Sequence, residues 1–213
     1  MSRLWAPVLR PAWLLARQTL ASRAGLALLV GFVGLDLLAR SALPFAVAAS
    51  HARADEIGRE SRLLLFGCIT LLALLRASRW RPVLLGLGDL GLVATVCLSA
   101  LYLDCIVHLV VGSLDGLLFR ADPRPGWMEL GASIWLATLA GILALSRLEP
   151  RALGLVFLLL AWWVPVLGLP APDAAGALGE GIPPTPWSAG GFLPMLVPHL
   201  WAVGYVCLER AQR

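Results

Sequence analysis

Residues 83–111 read VLLGLGDLGLVATVCLSALYLDCIVHLVV, and the number of times that stretch crosses a membrane decides the fold. One crossing of about 30 Å of hydrocarbon takes roughly 20 apolar residues in a helix. Two crossings would need about 40 plus a turn, and this stretch has too few. It therefore reads as one long helix, tilted or projecting beyond the bilayer. The rest of the chain shares its character: 59% of the 213 residues are hydrophobic and 14% are charged. With a mean hydropathy of +0.82, that composition lies far from a soluble globular domain and requires a bilayer to cover it.

Working outward, five further apolar segments stand near residues 25–47, 62–77, 128–146, 152–169 and 190–208, which with 82–111 makes six. The segment at 62–77 is short for a span and would borrow flanking residues or thin the bilayer. Arginine placement orients the set, because cytoplasmic loops retain more positive charge. All 17 basic residues are Arg. With the N-terminus inside, Arg3, Arg10, Arg17, Arg23, Arg76, Arg79, Arg81, Arg147, Arg151, Arg210 and Arg213 are cytoplasmic. Arg53, Arg59, Arg62, Arg120 and Arg124 are outside, matched there by Asp55, Glu56, Glu60, Asp115 and Asp122. The expected fold is all-α: six transmembrane helices (24–209) with both termini cytoplasmic. The Pro/Gly-rich stretch 170–189 reads as an exported loop.

Residues 1–23 read as a separate amphipathic helix along the cytoplasmic headgroups. Trp5, Leu9, Ala12, Trp13, Ala16 and Leu20 recur at three- and four-residue steps, and Arg3, Arg10 and Arg17 recur every seven on another face. A plain basic leader obeying the positive-inside bias is the simpler alternative. Arg-only, Ala/Leu/Gly-rich usage suits a GC-rich genome and hence a bacterial inner membrane.

Chemistry is sparse. The chain has no lysine, so no P-loop lysine exists and any ATP must be bound by another subunit. Cys68, Cys97, Cys105 and Cys207 form no C-x-x-C pair and read as structural thiols. Gly86, Gly88 and Gly91 match G-x-G-x-x-G but follow an Arg-Pro turn instead of a strand, which points to close helix contact. The intramembrane polar residues Asp36, Arg40, Asp89, Asp104 and His108 are functional candidates by default. Asp36 and Arg40 are spaced to neutralise each other on one helix face, and Asp89 lies close to Arg79 and Arg81. Asp104 and His108, four apart, have the pattern of a carboxylate orienting an imidazole; a mutual hydrogen bond at the outer face is the plain alternative. His108 and His199 together are the minimum for a bis-histidine haem site. No metal, cofactor or nucleic acid is expected, and a nucleophile, base and electrophilic site cannot be assembled into an enzyme active centre.

The layout resembles the type-two permeases of ABC exporters. The likeness covers the order of elements along the whole chain, and locally Gly58-Arg59-Glu60, Leu63-Leu64-Leu65, Ser78-Arg79-Trp80-Arg81 and Leu84-Leu85-Gly86, with the ending Leu208-Glu209-Arg210. The chain departs from that class at Ser61, Ala77 and Asp89, where Thr, Pro and Lys are usual. The resemblance implies that Arg76, Arg79, Trp80 and Arg81 contact a separate ATP-binding subunit. It also implies that two permease copies, alike or different, line a path for an amphipathic or lipid-like cargo. The competing class is a structural or haem/quinone-holding membrane subunit of a redox or assembly complex.

Overall fold

The structure, a computed structural model, describes residues 2–41, 48–119, 127–161 and 189–212. Among the described residues there are seven α-helices and no strand: α1 (Ser2–Leu20), α2 (Arg23–Ser41), α3 (Ala48–Leu84), α4 (Gly88–Phe119), α5 (Trp127–Leu143), α6 (Pro150–Ala161) and α7 (Ala189–Ala211). The described part of each of the six expected apolar segments lies mainly on one of α2–α7, and residues 42–47 and 162–169 lie outside the described residues. Two stretches, Arg62–Pro82 and Gly88–Val111, are helices long and apolar enough to cross a membrane by length and composition. Those at Arg23–Gly34, Leu130–Leu143 and Pro150–Ala161 are shorter apolar helices. The exported loop expected at 170–189 lies outside the described residues except for its last position.

The stretch at 83–111 resolves into a corner and one helix. α3 runs on to Leu84, a three-residue 3-10 turn covers Leu85–Leu87, and α4 then continues unbroken to Phe119. Leu92 to Val111 contains neither Gly nor Pro, so nothing interrupts the helical ladder there. The corner forms where Pro82 enters the last turn of α3 and Gly88 adopts φ +72°, a left-handed conformation that glycine takes without steric cost. A Cβ added at Gly86 or Gly88 would meet nothing within 4 Å. These glycines shape a turn; they do not mediate the helix contact expected of them.

A glycine of close approach between neighbouring helices is Gly141 on α5. A Cβ there would stand 2.5 Å from Cys97 Sγ and 3.1 Å from a Val93 methyl on α4. At the same contact the Cys97 thiol donates to the Ala137 carbonyl at 3.3 Å. α4 is packed by α1, α3 and α5, and α3 by α1, α2, α4, α5 and α6; α6 also touches α5, and α7 lies on α5.

α3 is 37 residues long, about 55 Å at 1.5 Å per residue. Its first part, 48–61, expected as an exterior loop, is a helical continuation of the apolar stretch that follows. That stretch is longer than 62–77: the apolar helix reaches Pro82.

α1 is the helix expected at residues 1–23. Its covered face is Ala12, Leu15, Ala16 and Thr19, all fully buried, while Leu9 and Trp13 are exposed. That face packs on α4 and α3. The Trp13 ring meets Tyr102 edge-on at 5.8 Å, and Tyr102 is about 21 Å along α4 from Gly88. Pro7 and Pro11 weaken the first half of α1, so tertiary packing after Pro11 holds the helix. Ser22 closes the corner to α2, donating to the Thr19 carbonyl at 2.6 Å and accepting the Gly25 N–H at 3.0 Å.

Candidate functional site

The Arg-bearing end of the bundle is built by contacts between helix termini. Residues Ala144 to Ser146 follow the last turn of α5 and leave carbonyls without helical donors. Arg81, at the end of α3, reaches across to donate to Leu145 O at 2.7 Å and Ser146 O at 2.5 Å. The Arg147 N–H donates to both carboxylate oxygens of Glu209 at 3.1 Å. Arg210 pairs with Asp89 at 2.6 Å, with both side chains about half exposed. The ends of α3, α5 and α7 and the start of α4 therefore meet at one level.

That geometry divides the four coupling candidates. Arg81 is committed to the α5 terminus, and Trp80 packs half-buried against the main core. Arg79 is exposed and Arg76 half-buried; neither is paired with a carboxylate among the described residues. Asp89, expected near Arg81 or Arg79, lies close enough to Arg81 to be stabilised by its charge and takes Arg210 as its hydrogen-bonded partner. In the sequence Glu209 and Arg210 form a terminal motif and Arg210 adds to the cytoplasmic charge, but no local pattern marks their partners 62 and 121 positions away.

The second cluster lies deeper. Asp104 is 5% exposed, and His108 Nδ1 lies 3.2 Å from its Oδ1 and 3.2 Å from its backbone carbonyl. The two side chains lie beside each other across one helical turn as expected, but Asp104 Oδ1 accepts no hydrogen bond among the described residues. Cys105 beside it points outward and is exposed, as is Cys207, so two of the four thiols are not core residues.

His199 belongs to a third group, at the α5–α7 contact. Its Nε2 is 2.8 Å from Thr138 Oγ1, and its ring meets Trp135 edge-on at 5.0 Å. The Thr138 hydroxyl also lies within reach of the carbonyls of Ile134 and Trp135, both at 2.9 Å. Which of Thr138 and His199 donates in that contact follows from the imidazole tautomer.

His108 stands about 28 Å along α4 from Asp89, and His199 about 16 Å along α7 from Arg210. Because Asp89 and Arg210 are bridged, the two imidazoles lie at different levels. Nothing here brings them together as the axial pair of a haem. No group of three or more His, Cys, Asp or Glu with metal-binding geometry occurs among the described residues. Asp36 and Arg40 fall on α2, and their expected pairing lies outside the described side chains. No protein-family model, no curated protein and no solved structure matches this chain.

Proposed function

We propose that the chain is a multi-pass subunit of a bacterial inner membrane, with six spans and its Arg-bearing end in the cytoplasm. In this reading it serves as a permease driven by a separate ATP-binding subunit. One observation carries the membrane placement: the helices turn large apolar side chains outward as well as inward. Leu26 and Val30 on α2, Leu109 on α4, Ile134 on α5, Leu155, Leu158 and Leu159 on α6, and Leu200 and Val203 on α7 are all exposed on the bundle surface. So much apolar surface on so many sides suits a lipid solvent, whereas a soluble protein keeps such patches small. The gathering of Arg76, Arg79, Arg81, Arg147, Arg151 and Arg210 toward one end accords with a cytoplasmic face.

The ATP-coupled part of the proposal rests on the local resemblance around Ser78-Arg79-Trp80-Arg81. Arg81 and Trp80 hold the fold in this reading, which leaves Arg76 and Arg79 to meet the ATP-binding partner. Movement of that partner would be transmitted through the α3–α4 corner into the bundle.

Gentle extraction of the tagged protein tests the reading. A stoichiometric P-loop ATPase should co-purify and be lost from an Arg76→Glu/Arg79→Glu variant that still elutes as wild type on gel filtration. Co-purification of a redox subunit with a haem absorption band would overturn it.

A further inference from the structure

We propose that the seam between α3 and α6 binds an anionic phospholipid, its phosphate held by Arg79 and Arg151 and its acyl chains lying on Leu155 and Leu158. The proposal rests on the membrane placement above and shares Arg79 with the ATP-coupling reading, whereas Arg151 belongs to the seam alone. α3 runs toward the Arg-bearing end and α6 runs away from it, so the two helices are antiparallel. Their register is set at Gly154, where a Cβ would sit 3.7 and 3.8 Å from methyls of Leu71 and Leu75. One turn back from Gly154 toward that end is Arg151, and one turn on from Leu75 is Arg79. Both are exposed. Their levels differ by about one helical turn, which two long guanidinium side chains can span.

Neither arginine has a carboxylate partner among the described residues. The acidic groups at this end are accounted for: Asp89 is bridged to Arg210, and Glu209 accepts from Arg147 N–H. Glu149, exposed just before α6, forms no ion pair among the described residues. The seam thus keeps a net positive charge at its mouth.

Arg151, Leu155 and Leu158 recur at steps of four and three on α6, and so form one stripe. The two leucines are 64% and 48% exposed. Guanidinium groups at the headgroup level, continued by a bare apolar stripe toward the bilayer centre, match the order of parts in an anionic phospholipid. A soluble acidic partner would use the arginines and leave the leucines without a role.

The test is native mass spectrometry of delipidated protein titrated with phosphatidylglycerol or phosphatidylcholine. Phosphatidylglycerol should bind more tightly and saturate at one tight site. Arg79→Gln/Arg151→Gln should weaken that binding about 30-fold, at about 1 kcal/mol per arginine, and leave phosphatidylcholine unchanged. Arg151→Gln alone should lose part of the binding without changing which proteins co-purify. Equal affinity for the two lipids, or unaltered phosphatidylglycerol binding by the double variant, would overturn the site. Carbonate extraction separates the two failures: release of the protein from membranes defeats the membrane placement, whereas retention with indifferent lipid binding defeats the seam alone.

Discussion

Arg81 shows how one side chain can serve topology and architecture together. Its guanidinium carries positive charge at the end of α3 and also closes the carbonyl end of α5, 64 and 65 positions away. Hydrogen bonds from a charged donor contribute about 1.5–3 kcal/mol, and their removal leaves two carbonyls unsatisfied. Arg81→Ala should therefore lower the melting temperature in detergent by several degrees, at about 2–4 °C per kcal/mol for a chain of this size. Asp89→Asn, which breaks a half-exposed pair, should hardly move it. Equal melting of Arg81→Ala and wild type would show that the α5 terminus needs no such cap. Gly141 is the steric counterpart. Val at this position would drive its Cβ into Cys97 and Val93, and overpacking of this kind costs about 1–3 kcal/mol. Gly141→Val should melt earlier than wild type, and Gly86→Val, at an open position, should melt close to it.

Among the elements, α4 was the most legible in the sequence and α1 the least. α4 is apolar without Gly or Pro from Leu92 to Val111, so local propensity and length agree on a single helix. α1 has a periodic pattern that identifies a helix and leaves its rotation open. Trp13, the larger apolar residue, is exposed, and the small Ala12 and Ala16 are buried, because close packing on α4 favours small side chains at the contact. α4 also supplies a test of what surrounds it. Cys105 faces outward within the Gly88–Val111 stretch. If lipid covers that face, a charged maleimide should leave Cys105 unlabelled in intact membranes and label it after denaturation, read by peptide mapping. Rapid labelling in intact membranes would place that surface in water.

At the scale of the molecule, composition and the spacing of apolar runs were enough to establish helices in the expected order and the grouping of Arg76, Arg79, Arg81, Arg147, Arg151 and Arg210 at one end. These properties are local or additive: helical periodicity needs only neighbours within a turn, and hydropathy sums over a segment. The Asp104–His108 pair was legible for the same reason, since both residues sit on one helix four apart. Contacts between helices were decided by tertiary structure alone. The Arg210–Asp89 bridge, the Arg81 cap, the His199–Thr138 contact and the antiparallel register of α6 on α3 depend on how rigid helices dock. Many distant partners satisfy the same donor or the same small-residue surface equally well, and only the packed bundle selects among them.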